Sequence, residues 1–306
     1  MTSLILIEKL PLVAPLGLCF HDAATGERII DGLKISIYPL TGSTRKIRND
    51  ALPNRSGVFV LQNAFGLDNF KNGAGDAEFW ANNPPRKTYI AEVSDAERRF
   101  QPFQLTLELP VKGIYRWENA PPSSPNKTAA SIPLYSAPTR KILNAMSVIR
   151  AELRQADRTP AAFAVLEARF NGVLAARGIA DRDGKIVLIF PTLAPQSNPF
   201  ASPPTGATNV TLAEQQWILD LSVKYEPQNF QSSPPIAAEI AGEILPDLRR
   251  VLAQSNGKIW ADAAQTEELK TAVLRLGREL ILRSKAEIAS PTEVVHTSSL
   301  LVSPAA

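Results

Sequence analysis

The sequence predicts a mainly all-β protein: two antiparallel β-sandwich domains joined by a Pro-rich linker, with minor helix in the second. Short apolar runs alternate with polar residues at the period of half-buried strands, most clearly in 103–109. Glycine, asparagine and proline turns separate these runs. The length of 306 residues gives room for two domains of ordinary size.

The predicted organisation follows from where the 25 prolines cluster along the chain. A stretch rich in proline carries almost no regular structure and is semi-rigid and extended. In order, we expect an extended N-terminal arm (1–16), a first β-sandwich (17–113), a Pro-rich linker (114–144), a second β-sandwich with Pro-rich insertions (145–289) and a C-terminal tail (290–306).

In the first predicted domain an apolar strand runs from Leu18 into the Asp22 turn, and four more strands are indicated at 33–38, 58–61, 89–93 and 103–109. Between the second and third of these four lies 63–86, an insertion rich in glycine, asparagine and aromatic residues. Because loops of this length are usually functional or pinned to a partner, we expect 63–86 to contribute to binding.

In the second predicted domain, 147–153 and 164–170 indicate strands, with helix as the open alternative for both. Further strands are predicted from 185–190 and 217–225, and two strands around a tight turn from 274–283. A helix is predicted over 236–252, broken at Pro246 because proline interrupts helical hydrogen bonding.

The charge pattern argues against nucleic acid and membrane as partners. Net charge is only +3, from 33 basic and 30 acidic residues, and no basic stripe is interleaved with aromatic residues. Glu8 interrupts the apolar N-terminal run, and no other window approaches the ~18 apolar residues of a spanning helix. We therefore expect no direct membrane insertion and, with no signal peptide recognised, a cytoplasmic location.

Few residues are candidates for catalysis or metal binding. Cys19 is the one cysteine and is expected to be a small buried hydrophobic residue, because no nearby cation would activate its thiol. The two histidines, His21 and His296, provide neither a paired-histidine metal site nor a Ser-His-Asp triad. His21 is expected to make a surface or turn hydrogen bond. The sequence predicts no catalytic residue, no metal ligand and no cofactor.

Asp181, Asp183 and Gly184 resemble the opening of a calcium-binding loop, but the residues that follow supply no further ligand. An Asx-type turn is therefore the expected role, and metal binding is the weaker alternative. An acid-only hydrolase is the weakest functional hypothesis, and it would place catalysis on these two aspartates.

A resemblance to a known family rests on turn residues: Asp22, Thr25, Gly26, Asp31-Gly32-Leu33 and Ser56-Gly57-Val58-Phe59. This series resembles carboxypeptidase regulatory-like (transthyretin-like) β-sandwich modules, and 181–184 with its apolar continuation resembles the same turn in a second copy. The resemblance implies rigid adaptors, surface-protein stalks or accessory domains. A Pro-linked pair of such modules is similar to an accessory component of a phage-tail-like contractile injection system.

The resulting prediction is a non-enzymatic structural adaptor that bridges protein subunits of a larger assembly, hetero- or homo-oligomeric. The baseplate or end cap of a contractile tail-like injection particle would fit. The alternative is a carbohydrate- or surface-binding accessory module, with loop aromatics as a stacking platform. The arm at 4–16 either pairs with its own sandwich or adds as a strand to a neighbouring subunit. Partner contacts are assigned to Leu4, Leu6, Phe70, Phe79, Trp80 and Trp117.

Overall fold

The computed structural model describes residues 14–40, 48–67, 77–117, 131–142, 146–193, 215–227, 245–285 and 297–304. The predictions made for Leu4, Leu6, Phe70, His296, residues 118–130 and residues 236–244 lie outside this part of the chain. The fold is mostly β, as the sequence predicts, with two short helices, α1 (Ala77–Ala81) and α2 (Leu248–Leu252).

The strands of the N-terminal part are β1 (Leu16–Leu18), β2 (Phe20–Asp22), β3 (Arg28–Ile29), β4 (Leu33–Pro39), β5 (Asn49–Pro53), β6 (Phe59–Leu61), β7 (Lys87–Asp95), β8 (Phe103–Leu109) and β9 (Ile132–Leu134). The strands that follow are β10 (Met146–Arg154), β11 (Val165–Phe170), β12 (Val173–Ile179), β13 (Lys185–Pro191), β14 (Gln216–Lys224), β15 (Lys258–Trp260), β16 (Thr271–Arg275), β17 (Leu280–Leu282) and β18 (Leu300–Ser303).

The described strands form four sheets. Their strand orders are β1-β6-β5-β4-β7-β8, β3-β2-β9, β12-β11-β14-β16, and β13-β10-β18-β15 with β17 also paired to β10. The chain divides into two compact units. The first takes its described residues from Met1–Phe20, Arg28–Val93 and Leu105–Ile132, and the second from His21–Glu27, Ser94–Gln104 and Pro133–Ala306.

The core of the first unit is apolar and aromatic. Phe20 and Phe59, both fully buried, meet edge to face with ring centroids 5.5 Å apart. Buried polar groups are paired, since the Tyr38 hydroxyl donates to Glu92 Oε1 at 2.9 Å. Burial raises the pKa of Tyr38, and the charge of Glu92 adds to this effect. The phenol therefore stays neutral and acts as a hydrogen-bond donor.

The second unit contains a β-sandwich whose core lies between the β12-β11-β14-β16 and β13-β10-β18-β15 sheets. β14 shows why these residues form a strand: every second side chain, from Trp217 to Val223, is buried and those between are exposed. The buried side chains pack with Ile149 and Leu153 of β10 and with Leu188 of β13. This alternation fixes which face of β14 is turned to solvent.

The strand predicted from Leu18 into the Asp22 turn is instead two strands, β1 and β2. Strands are confirmed in the other ranges predicted for single strands, and 147–153 and 164–170 are strand rather than helix. The tight turn within 274–283 is also confirmed, with Arg278 N donating to Arg275 O at 3.2 Å. Its two strands, however, do not pair with each other. β16 joins β14 and β17 joins β10, so the turn is a corner between two sheets.

Four further expectations need correction. The sequence predicts none of β3, β5, β12, β15 and β18, and α1 shows that helix is not confined to the second predicted domain. The purely antiparallel arrangement is wrong because β10 runs parallel to β17 and β18, which the intervening strands separate from it in sequence. The sequence predicts almost no regular structure at 118–139, yet Ile132 and Leu134 are buried in β9. The predicted domain bounds themselves stay a prediction.

Candidate interaction surface

An exposed aromatic residue is presented on an anchored stretch of backbone in the first unit. The carbonyl oxygen of Phe65 accepts a hydrogen bond from the Tyr89 hydroxyl at 2.6 Å, and that of Gly66 accepts one from Lys87 Nζ at 2.6 Å. Both donors stand on β7, and Tyr89 is itself buried. The Phe65 ring nevertheless remains 52% exposed. The backbone is therefore fixed while the ring faces solvent.

Two other aromatic residues of the predicted binding loop lie on α1. The rings of Phe79 and Trp80 are half-buried and meet at 89°, with centroids 5.2 Å apart. The helix ends in a turn, because the Trp80 carbonyl accepts from Asn83 N at 3.3 Å and Asn83 has a φ of 47°. Perpendicular neighbours of this kind do not offer one flat face to a sugar ring.

Trp117 is only 6% exposed, and its burial gives no support to a role as a partner anchor. For the N-terminal arm, the described part is β1, where Leu16 pairs antiparallel with Leu61 of the same chain. The first of the two options for the arm therefore holds at its C-terminal end. Leu4 and Leu6 lie outside the described residues, so their role stays a prediction.

Cys19 is buried, as predicted, at 8% exposure. The expectation that no cation lies near it is wrong, because Arg28 Nη2 donates to the Cys19 sulfur at 3.0 Å. The same guanidinium nitrogen donates to the Gly57 carbonyl at 3.2 Å. Arg28 thus ties β3 to two other backbone segments of the first unit, and its side chain is engaged by the fold.

The Asp22 turn, which carries much of the family resemblance, is closed by its own side chain. Asp22 Oδ1 accepts from Ala24 N at 2.9 Å and Oδ2 accepts from the Thr25 hydroxyl at 3.2 Å. Arg140 donates to both carboxylate oxygens, to Oδ1 at 2.9 Å. Burial raises the pKa of Asp22, but the hydrogen bonds from Arg140 and Ala24 outweigh it, so the pKa lies below its usual value.

A second buried carboxylate, Glu167 on β11, is surrounded by cations. Its Oε1 accepts from Arg177 Nε at 2.9 Å and its Oε2 from Arg169 Nη2 at 3.0 Å, and Lys224 Nζ lies 4.0 Å away. Burial raises the pKa of Glu167, but Arg177 and the other cations bring it below its usual value. Arg177 also hydrogen-bonds the buried Tyr135 hydroxyl. The single carboxylate thus joins cationic side chains of β11, β12 and β14.

The Asx-type turn predicted at Asp181 is present. Asp181 Oδ1 accepts from the backbone nitrogens of Asp183 and Lys185, both at 2.9 Å. Burial raises the pKa of Asp181 above its usual value, despite those two hydrogen bonds. The side chain of Asp183 points to solvent, 62% exposed. The two carboxylates therefore have different roles, one closing a turn and the other solvated.

A small cavity of the second unit lies against the Tyr135 and Phe163 rings and the α2 residue Val251, and it measures about 10 Å³. This is the space of about one water molecule. Across the described ranges, no group of three or more histidine, cysteine, aspartate or glutamate side chains is placed to hold a metal ion.

A further exposed surface was missed by the sequence analysis. Ile218 on β14 and Val273 on β16 are directly paired across the strands, and they are 64% and 46% exposed. Both stand opposite the core face of their sheet, because their neighbours Trp217 and Leu274 are buried. The sequence contains a signal for this surface, because apolar residues occupy consecutive positions in these strands and therefore lie on both faces of the sheet.

No protein-family model matches the chain, and no curated protein matches it either. Among the helices of the described segments, neither is long and apolar enough to cross a membrane.

Proposed function

We propose that the protein is a non-enzymatic structural adaptor that joins protein subunits of a larger assembly. The observation that carries this proposal is Phe65, an exposed aromatic ring on a backbone fixed by Tyr89 and Lys87. Aromatic side chains dominate the energetics of protein interfaces, and a fixed backbone lowers the entropic cost of binding. Phe65 therefore has the properties of a preorganised anchor.

The charged groups support the same proposal. The carboxylates of Asp22 and Glu167 are held by arginines, and Asp181 closes a turn. Carboxylates engaged in this way contribute to a rigid scaffold, which is what an adaptor needs in order to hold its partners at a set geometry. The type of assembly proposed is the one that the sequence resemblance suggests, the baseplate or end cap of a contractile tail-like injection particle.

The alternative of a carbohydrate-binding accessory module is less favoured. Sugar recognition by stacking uses a flat aromatic face, whereas the rings of Phe79 and Trp80 lie at 89° to each other. The ring geometry thus gives no support to a shared stacking platform formed by Phe79 and Trp80.

The test is affinity purification of the tagged protein from its native host, with mass spectrometry and negative-stain imaging. Wild type is compared with Phe65→Asp and with Leu52→Asp, a matched control on β5 whose side chain is 60% exposed. We expect stoichiometric structural subunits to co-purify with wild type and the control, and recovery to fall about tenfold for Phe65→Asp. Equal recovery for all three, or a lone monomer that binds polysaccharide instead, would contradict the proposal.

A further inference from the structure

The strand β16 ends its sheet. In the order β12-β11-β14-β16 it pairs antiparallel with β14, from Gln216↔Arg275 to Asp220↔Thr271. Among the described residues β14 is its only strand partner, so the opposite side of β16 is an open edge. Open edges carry unpaired backbone groups that can accept a further strand.

The register shows which backbone groups point outward. Leu276 N donates to Gln215 O at 3.1 Å, and Leu221 N donates to Lys270 O at 2.8 Å. In an antiparallel pair, residues alternately direct their N–H and C=O groups toward and away from the partner. Residues 270, 272, 274 and 276 therefore face β14, whereas Thr271, Val273 and Arg275 direct their backbone groups to the open edge.

The side chains at this edge form a small apolar strip. Val273 is 46% exposed and Ile218, its cross-strand neighbour, is 64% exposed. They occupy a non-hydrogen-bonded position of the ladder, where opposite side chains are closest. A β-branched residue on an added strand would contact this strip and cover it.

Three basic side chains lie beside the strip, and the nearby acidic side chains are paired elsewhere or with one of them. Lys270, Arg275 and Arg278 are all exposed, and no acidic residue occurs between positions 270 and 278. Lys270 has an acidic neighbour, Glu268, at 3.5 Å. Glu279, next to Arg278, is paired with Arg150 at 2.6 Å. Asp220 lies one strand inward, where it is paired in register with Arg169. Among the described residues Arg275 and Arg278 have no acidic partner, so the edge favours an acidic occupant.

A second copy of this chain complements Arg275 less well than an acidic segment does. Antiparallel pairing of two β16 edges about Val273 would set Thr271 of one copy, which is neutral, opposite Arg275 of the other. We propose that β16 is a docking edge for an acidic, extended segment of a partner protein, which adds to the sheet as a strand. The docking edge goes beyond the proposed function, since it does not involve Phe65.

The test uses the full chain and a fluorescein-labelled peptide, Glu-Glu-Val-Thr-Val-Glu-Glu, followed by fluorescence anisotropy. A peptide with lysine in place of every glutamate is the charge control. Val273→Pro removes the outward N–H and no bond to β14, which an edge strand tolerates. Val273→Thr keeps both the N–H and the branched shape. We expect Val273→Pro and Arg275→Glu each to weaken binding of the acidic peptide at least about tenfold, and Val273→Thr by no more than about threefold.

Several outcomes would overturn the proposal. These are absent binding of the acidic peptide, equal binding of the two peptides, unchanged affinity of Val273→Pro, or a dimer in light scattering that Val273→Pro dissociates. Arg275→Glu changes only an exposed side chain and remains informative where Val273→Pro fails to fold. In the affinity purification, loss of partners on Phe65→Asp but not on Arg275→Glu overturns the docking edge alone. The reverse pattern overturns the role of Phe65 alone.

Discussion

Asp22 and Arg140 stand 118 residues apart in the chain and form a two-pronged ion pair inside the second unit. The guanidinium also donates to the Ser136 hydroxyl at 2.9 Å and lies 5.0 Å from the centre of the Phe100 ring. Both partners are largely buried, with side-chain exposures of 11% and 3% for Arg140 and Asp22. The turn that resembles the β-sandwich family is thus fixed by a residue far away in sequence.

The first prediction concerns the geometry of this pair. Lysine cannot donate to both carboxylate oxygens through a planar fork, so Arg140→Lys is expected to lower the free energy of unfolding by about 2 kcal/mol. Urea unfolding followed by tryptophan fluorescence measures it. The matched control is Arg182→Lys, because Arg182 is 60% exposed and only 4.0 Å from Asp183. The control should stay within about 0.5 kcal/mol of wild type. Equal stability of the two variants would show that bidentate pairing is unimportant.

The ionisation of Asp22 should make the stability of the protein depend on pH on the acid side. Its pKa in the folded protein lies below 3.8, so the pair contributes fully above pH 3.8 and is lost as the pH falls through the folded value. Glu167, whose pKa is also lowered, acts in the same direction from its ordinary value of 4.5 downward. We expect the melting temperature to fall below about pH 4. In Asp22→Asn that acid-side slope should be shallower, and an unchanged slope would argue against this assignment.

The local half of the Asp22 turn could be predicted from the sequence, because Asp22, Thr25 and Gly26 are turn residues within five consecutive positions. Its long-range half could not, since no local pattern indicates that Arg140 returns to it. The β11–β12 hairpin is different. Asn171-Gly172 between two strands is a strong hairpin signal, and the structure shows φ values of 51° and 76° there. That signal was present and was overlooked.

The corner between β16 and β17 is a feature that the local sequence does not determine. The same tight turn at Gly277 is compatible with a hairpin or with a change of sheet, and only the packing of each strand decides between them. β16 follows β14 into one sheet, whereas β17 runs parallel to β10 in the other. The docking edge of β16 exists because of this separation, so it could not be predicted from the turn alone.

A further prediction concerns the cation cluster around Glu167. In Glu167→Gln the neutral amide leaves Arg177, Arg169 and Lys224 without their shared carboxylate. We expect a loss of about 2 kcal/mol in unfolding free energy, below the full effect of a buried pair because the three cations are partly exposed. Glu268→Gln, at a more exposed ion pair, is the control and should change little. Chemical denaturation at neutral pH distinguishes the two, and an equal effect would refute a structural role for the cluster.

Asp181 should behave in the opposite sense to Asp22. Its pKa is raised, so the charged form is disfavoured in the folded protein, and this penalty is fully present above the folded pKa and disappears as the pH falls toward 3.8. Asparagine can accept the same two backbone hydrogen bonds without the charge. Asp181→Asn should therefore raise the melting temperature at pH 7 and leave it unchanged near pH 3. A lower melting temperature at pH 7 would show that the ionised carboxylate is needed to close the turn.

Gly184, which ends the Asp181 turn, lies close to the backbone of Leu153. Comparing it with Gly172 separates the cost of a steric clash from the cost of a left-handed backbone conformation. The φ of Gly184 is +80°, and a Cβ there would lie 2.3 Å from the Leu153 carbonyl oxygen, which is backbone and cannot move aside cheaply. Gly172 has a similar φ of +76° but nothing within 4 Å of its Cβ position. Gly172→Ala should therefore cost about 1 kcal/mol from the left-handed conformation alone.

Gly184→Ala carries that conformational cost and the clash together. We expect it to lose about 3 kcal/mol or more, because the Gly184 carbonyl also accepts from Leu153 N at 2.7 Å and a shift would break this contact between β10 and the turn. Thermal and urea unfolding of both variants give the difference. Similar losses would mean that the turn relaxes to admit a Cβ, and the close approach to Leu153 would then not be what requires glycine at this position.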